Sequence, residues 1–165
     1  MKSDVFFADL RIYSGKNQLD RLNILLDRTD LKGKVREKDL VAIKLHFGEK
    51  GNRAFIQPFF VRRIVEYVKR YRGKPFLTDT NTLYTGARSE ATSHLAIAFQ
   101  HGFAYSVVGA PVIIADGLRG NSAVRVRIDK PLFKTVPIAH EISMADALLC
   151  VTHVTGHDLS GFGGP

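Results

Sequence analysis

The chain has 165 residues, of which 45% are hydrophobic, and it carries a formal net charge of +8 at pH 7. This composition is typical of one folded domain and argues against a disordered chain. No apolar run approaches the roughly 20 residues that a membrane-spanning helix needs, and the N-terminus lacks the apolar core of a signal peptide. The single cysteine, Cys150, excludes an internal disulfide. We therefore expect a cytoplasmic protein with no membrane partner.

Apolar residues recur along the chain with strand and helix spacings that alternate. The predicted strands cover residues 5–10, 39–46, 75–79, 111–116 and 144–153. The predicted helices cover residues 18–29, 57–72 and 87–101. This order predicts an α/β fold, with a mostly parallel, Rossmann-like sheet flanked by helices and a small antiparallel insertion near residues 122–138. We expect residues 1–165 to form a single α/β domain, with Cys150 buried in its last strand.

Much of the positive charge is concentrated around the second predicted helix. The cationic residues are Arg62, Arg63, Lys69, Arg70, Arg72 and Lys74. They surround Val61, Ile64, Val65 and Val68, whose spacing marks the buried face of an amphipathic helix. This pattern favours a solvated helix face over a surface that binds nucleic acid.

Polar residues follow the predicted strands at their carboxyl ends. They are His46, Glu49, Asp79, Asn81, Asp116, His153, His157 and Asp158. Each alone is consistent with a turn, a helix cap or a structural histidine. Open α/β sheets bind ligands at the shared carboxyl edge of their strands, so the convergence of these residues favours a ligand-binding site. Alternation places Lys44 on the face opposite Ile43 and Leu45, and we do not expect it to reach that site.

The glycine-bearing end of the chain is predicted to form a loop at the same edge. Backbone N–H groups of Gly161, Gly163 and Gly164 can cradle an anion. His153 and His157 have the spacing of a helical zinc pair, but the surrounding glycines make a metal site the less favoured interpretation. We expect the site to take a small anionic ligand or a cofactor, and no catalytic residue is assigned.

Three segments carry a resemblance to a known family: residues 44–49, 79–84 and 156–164. Together they resemble the uncharacterised iron–sulfur-centre protein family, domain of unknown function 362, over nearly the whole chain. In that family the last motif runs on into cysteine-rich, ferredoxin-like segments that hold [4Fe–4S] clusters. The resemblance implies that this chain corresponds to the N-terminal portion of a longer architecture. It also implies that the clusters belong to segments absent from these 165 residues, with no cofactor held within this chain.

Two classes of function remain open. In the first, the chain is a redox or ligand-binding module whose site lies at the carboxyl ends of the strands. In the second, it is a non-catalytic docking module whose basic helix binds an acidic protein or nucleic acid. The sequence assigns no reaction, and it leaves open both the question of enzymatic activity and the oligomeric state.

Overall fold

The computed structural model describes residues 3–9, 11, 15–157 and 161–163. Its helices are α1 (Gln18–Arg28), α2 (Leu31–Lys34), α3 (Pro58–Arg70), α4 (Ala91–Gln100), α5 (Tyr105–Val108) and α6 (His140–Ser143). Its strands are β1 (Leu40–Lys44), β2 (Lys74–Asp79), β3 (Val112–Ile114), β4 (Ala123–Arg127), β5 (Thr135–Ala139), β6 (Ala147–Cys150), β7 (Thr155–His157) and β8 (Gly161–Gly163). The order of these elements confirms the α/β class.

Four parallel strands form the central sheet, in the order β3-β2-β1-β6. Lys44 of β1 lies opposite Thr78 of β2 and Cys150 of β6, and Thr78 lies opposite Ile113 of β3. The predicted parallel sheet is thus confirmed. β4 and β5 pair antiparallel, as predicted for the insertion, whereas β7 and β8 form a second antiparallel hairpin where the sequence predicted a loop.

Helix α3 packs its apolar stripe against one face of the sheet. The helix begins at Pro58, whose restricted φ suits a first turn. Ile43 and Leu77, which are neighbours on adjacent strands, are fully buried in one core with Val61 of α3. The exposed Arg70 lies on the solvated face of the same helix, as its spacing predicted.

The face of the sheet opposite α3 is only partly covered, since Leu148 and Ile113 are exposed there. Ala42 alternates away from α3 and is nevertheless fully buried. Beyond β3, the Glu141 N–H donates to the Ala115 carbonyl at 3.1 Å. At the start of β1, the Asp146 N–H donates to the Leu40 carbonyl at 2.9 Å. The segment between these bonds runs from the carboxyl edge to the amino edge, and a right-handed crossover places it on the face opposite α3.

The order of the strands creates a topological switch point between β1 and β6. The chain moves outward from β1 to β2 and then to β3, and it returns on the other side of β1 as β6. Loops that leave the two strands at such a point diverge, which opens a crevice at the carboxyl edge. The fold therefore favours a ligand site next to the ends of β1 and β6.

Two local expectations are wrong. Residues 3–9 carry no strand, and Leu10 lies outside the described residues. A short apolar run does not by itself specify a strand, and Val5 and Phe7 are exposed. Cys150 is exposed rather than buried, because β6 is an edge strand whose alternate positions lack cover. In the described part of the chain, no helix is both long enough and apolar enough to cross a membrane.

Candidate functional site

The carboxyl ends of the four parallel strands each bring a predicted site residue to one edge of the sheet. Asp79 is the last residue of β2, and His46 follows the end of β1 by two residues. Asp116 follows β3 by two residues, and His153 follows β6 by three. The alignment of His46, Asp79 and His153 along one edge is as predicted, while their roles in binding stay predictions.

Asp79 lies at the centre of a buried group of charged side chains, with 6% of its side chain exposed. Lys44 Nζ lies 3.4 Å from its Oδ1, while Arg88 Nη1 and His94 Nε2 lie 3.3 Å and 3.6 Å from its Oδ2. Burial raises the pKa of Asp79, but His94 and Lys44 outweigh that effect and hold the pKa below its ordinary value. Asp79 is therefore ionised at neutral pH and compensates the cations around it.

Arg88 joins two carboxylates through a guanidinium that is 5% exposed. Its Nε donates to Glu49 Oε1 at 2.8 Å, its Nη2 donates to the same oxygen, and its Nη1 donates to Asp79. Nη2 also donates to the Tyr84 hydroxyl at 2.8 Å, and that hydroxyl donates to Glu49. A planar fork of donors can satisfy both carboxylates at once, which a single ammonium cannot do.

The segment that carries Arg88 is held by a helix cap and by a backbone hydrogen bond. Glu90 is the N-cap of α4 and accepts hydrogen bonds from the backbone N–H groups of Ser93 at 2.7 Å and Thr92 at 2.8 Å. Hydrogen bonds from Ser93 and Thr92 lower the pKa of Glu90 to about 2. The Thr82 N–H donates to the Arg88 carbonyl at 2.9 Å. These bonds position Arg88 against the end of β2.

His46 is half-buried and presents one ring nitrogen as a donor. Its Nδ1 accepts a hydrogen bond from the Gly48 N–H at 3.0 Å. Burial, followed by the charge of Arg88, lowers the pKa of His46 and outweighs the nearby carboxylates. The ring is therefore neutral at pH 7, and because Nδ1 accepts, the hydrogen lies on Nε2. Gly48 has a φ of +91°, and a Cβ at this position would lie 2.5 Å from the ring of Phe55, so the turn requires glycine.

His94 reaches the same group from α4. It is fully buried and shares one face of the helix with the buried Ala91 and Ala98. Its ring meets Phe47 edge-on at a centroid distance of 5.8 Å. Within the described residues, neither ring nitrogen has a hydrogen-bond partner. The polar contact of His94 is therefore the one between its Nε2 and Asp79 Oδ2, at 3.6 Å.

Asn81 and Asp116 connect the loops that follow β2 and β3. The Asn81 N–H donates to both carboxylate oxygens of Asp116, at 3.1 and 3.0 Å. Its Nδ2 donates to Asp116 Oδ1 and to the Gly117 carbonyl, each at 2.9 Å. Both amide hydrogens are thus engaged, and a ligand that used Asn81 as a donor would have to replace one of these bonds.

The glycine-bearing end forms the hairpin of β7 and β8, in which His157 lies opposite Gly161 and Thr155 opposite Gly163. His153 and His157 are exposed, and Asp158 and Gly164 lie outside the described residues. Among residues 3–9, 11, 15–157 and 161–163, no group of three or more His, Cys, Asp or Glu side chains is arranged to hold a metal ion.

We define the strand-edge cluster as Lys44, His46, Glu49, Asp79, Tyr84, Arg88 and His94. Lys44, Tyr84, Arg88 and His94 were not among the predicted site residues. Two of them had a signal in the sequence, since Lys44 interrupts an apolar strand and His94 falls on the apolar face of a helix. Arg88 and Tyr84 lie in an irregular polar segment, where periodicity gives no information.

An apolar cavity of about 250 Å³ lies between α1 and α3, and none of its lining residues belongs to the strand-edge cluster. Its lining includes Leu25 of α1, Phe60 of α3 and Val151, which directly follows β6. Arg21 also lines it and donates from Nη1 to the Asp9 carbonyl at 2.7 Å. The cavity is largely apolar, so the groups capable of polar chemistry remain those of the strand-edge cluster.

The iron–sulfur clusters implied by the resemblance do not fit the residues of this chain. A [4Fe–4S] cluster takes four cysteine thiolates as ligands. The 165 residues contain Cys150 alone, and it lies on the exposed side of β6. No chemical step is therefore assigned to such a cluster here.

Comparison with known proteins shows to which family the chain belongs. The family model described as Domain of unknown function (DUF362) matches residues 41–165. No curated protein and no solved structure matches the chain. The matched residues include β2, β3 and β6, all of β1 except Leu40, and every member of the strand-edge cluster. The chain belongs to the DUF362 family.

Proposed function

We propose that the strand-edge cluster binds a small anionic ligand, and that Lys44 and His46 donate hydrogen bonds to it. The observation that carries the proposal is the hydrogen bond from the Gly48 N–H to His46 Nδ1. It leaves the Nε2–H of a neutral, half-buried imidazole as a donor at the carboxyl edge. Donors held in partly desolvated positions bind anions more strongly than the same groups in water.

Lys44 supplies the positive charge in this proposal. Its ammonium has three donors, and the contact with Asp79 Oδ1 at 3.4 Å occupies one direction. The side chain is 23% exposed, so the remaining donors are accessible but partly shielded from water. Hydrogen bonds from such a group to a carboxylate or phosphate are charge-assisted and short.

Arg88 acts as a positioning residue in this arrangement. Its donors are engaged with Glu49, Asp79 and Tyr84, which leaves ligand binding to Lys44 and His46. By holding Asp79, Arg88 also holds the carboxylate that orients Lys44. Lys44 ends β1, which borders the switch point where open α/β sheets place their ligands, and Asp79 ends β2 on the other side of β1.

The proposal concerns ligand binding and includes no redox step. The redox part of the family resemblance depends on four thiolate ligands for each cluster, and these 165 residues contain Cys150 alone. A ligand bound at the strand edge could still act beside clusters carried by another segment or another protein.

The proposal is tested with inorganic phosphate as the probe, by calorimetry and by thermal shift against chloride at equal ionic strength. His46→Ala should weaken phosphate binding by about 1–3 kcal/mol, the cost of losing a donor to a charged group. Lys44→Met should weaken it at least as much. His46→Gln, which keeps an N–H near the position of Nε2, should recover part of the loss. Binding that survives both His46→Ala and Lys44→Met would overturn the proposal.

The alternative is a docking module that uses the cationic face of α3. The exposed charges on that helix favour it, but several are already paired within the chain. Arg62 and Arg63 lie 3.0 and 3.2 Å from carboxylate oxygens of Glu66. Arg72 lies 3.1 Å from Glu37. These pairs reduce the positive field of the helix, and we therefore prefer the strand-edge site.

A further inference from the structure

The β4–β5 hairpin is rooted at the carboxyl edge of the sheet. At its root, the Ser122 N–H donates to the Asp116 carbonyl at 2.9 Å, and the His140 N–H donates to the Ser122 carbonyl at 3.1 Å. A strand of five residues spans roughly 16 Å, so the far end of the hairpin lies well away from this root. Apart from pairing with each other, β4 and β5 contact the short helix α6. The hairpin is thus anchored at one end and presents the other to its surroundings.

The far end of the hairpin is apolar. The Lys130 N–H donates to the Phe133 carbonyl at 2.9 Å, which places Pro131 and Leu132 at the turn. Leu132 is 90% exposed and Phe133 is 62% exposed. Two large apolar side chains at a convex tip expose surface whose transfer out of water is favourable. The tip therefore has the chemistry of a contact surface.

Cations surround this apolar tip. Lys130 and Lys134 flank it on both sides, and Arg125 and Arg127 lie along β4, all of them exposed. Asp129 is the one acidic residue in the sequence from Ala123 to Ala139, and it pairs with Arg127 at 2.7 Å. The tip thus combines an apolar point with a ring of positive charge.

We propose that this hairpin tip docks on the surface of an anionic lipid bilayer. Leucine and phenylalanine enter the boundary between headgroups and acyl chains, while lysine and arginine are attracted to anionic headgroups. Such interfacial contact needs no membrane-spanning helix, so the proposal departs from the expectation of no membrane partner, which was based on the lack of such a helix. The proposal is independent of the proposed function, because no member of the strand-edge cluster takes part in it.

Two other occupants fit the same surface less well. A nucleic acid would engage the cations, but its phosphate backbone offers nothing to a protruding leucine. A second copy of the chain in a symmetric contact would bring two hairpins of like charge together. An anionic bilayer offers acyl chains to the apolar side chains of the tip and anionic headgroups to its cations.

The test is co-sedimentation of the full chain with vesicles of phosphatidylcholine alone and of phosphatidylcholine with phosphatidylserine. We expect binding to the mixed vesicles that weakens with added salt, and little binding to phosphatidylcholine. Leu132→Ser should reduce binding about tenfold. Leu83→Ser is the matched control, since Leu83 is fully exposed outside the hairpin and its loss should change little. Both leucines are exposed, so neither change removes core packing.

The charge requirement is tested by the pair Lys130→Glu and Lys134→Glu. Each cation removed should cost about fivefold in binding, so the double change should cost at least about 25-fold. Arg70→Glu with Arg72→Glu applies the same change of charge on and beside α3 and should cost far less. Three results would overturn the proposal: equal losses in the two double variants, equal binding to both vesicle types, or lipid-independent self-association that Leu132→Ser abolishes. Failure here would leave phosphate binding by His46 and Lys44 untouched.

Discussion

Lys44 Nζ lies 3.4 Å from Asp79 Oδ1, although the two residues alternate onto opposite faces of neighbouring parallel strands. The contact forms at the end of the strands, where a long side chain can pass around the sheet edge. It brings an ammonium from one face to a carboxylate on the other. Because Asp79 is buried and also contacts Arg88, removal of its charge leaves two cations without their shared partner.

The first prediction concerns that shared carboxylate. Asp79→Asn should lower the free energy of unfolding at pH 7 by about 3 kcal/mol, because it leaves Lys44 without its carboxylate partner and Arg88 with Glu49 alone. Urea unfolding followed by circular dichroism measures the change. Asp129→Asn is the matched control, since its partner Arg127 is exposed and such pairs contribute about 0–1 kcal/mol. Equal effects of the two substitutions would contradict the buried arrangement.

The charge of Asp79 should also make the stability of the fold depend on pH. The folded protein holds the pKa of Asp79 below its ordinary value, so the folded state binds this proton less readily than the unfolded state. The stabilisation is complete above the unfolded pKa of about 3.9 and is lost as the pH falls through the folded pKa. The wild type should therefore lose stability in acid more steeply than Asp79→Asn. Parallel acid-unfolding curves would show that Asp79 makes no such contribution.

The second prediction concerns the turn that orients His46. Gly48→Ala combines a φ of +91° with a Cβ that would lie 2.5 Å from Phe55 and 2.8 Å from His101. It should destabilise the fold by about 2 kcal/mol or more, because left-handed backbone costs about 1–2 kcal/mol and the clash adds to it. Gly51→Ala has a φ of +81° with open space around it, and should show the backbone cost alone. Unfolding by urea compares the two.

The elements that could be predicted from the sequence are those that bury a continuous apolar pattern. α3 could be predicted because Val61, Ile64 and Val68 recur at helical spacing, and β1 because residues 39–46 are mostly apolar. No local sequence pattern determines the order of the strands in a sheet. The edge position of β6, and with it the exposure of Cys150, therefore could not be predicted.

The candidate site was predicted in part, for a related reason. His46, Asp79 and Asp116 were identified because polar residues directly follow apolar strands. Arg88 was missed because its contacts depend on how an irregular segment folds back over β2. Lys44 was excluded because alternation gives the direction of a Cβ, whereas four further rotatable bonds determine where the ammonium lies.

The third prediction concerns the electrostatics of His46. After burial, the charge of Arg88 is the main cause that lowers the pKa of this imidazole, and Arg88 also neutralises Glu49. Arg88→Met should therefore raise the pKa of His46, because it removes a cation and frees a carboxylate. Titration of the imidazole proton signals by NMR measures the midpoint. Arg70→Met removes a cation from the solvated face of α3 and should leave the midpoint of His46 unchanged.

The last prediction separates the two classes of function. Reversing Arg62, Arg63, Arg70 and Arg72 to glutamate should leave phosphate binding almost unchanged, because these side chains lie on or just beyond the solvated face of α3, whereas His46→Ala should weaken it. A docking module for nucleic acid would invert that order. Its affinity for an oligonucleotide would also fall by about 10³ or more between 50 and 200 mM salt if some six phosphates were contacted. Titration of a labelled duplex and of phosphate over that range, with both variants, measures the difference. The strand-edge site would be rejected in favour of α3 under two conditions. The arginine reversals would have to abolish oligonucleotide binding, and His46→Ala would have to leave phosphate binding unchanged.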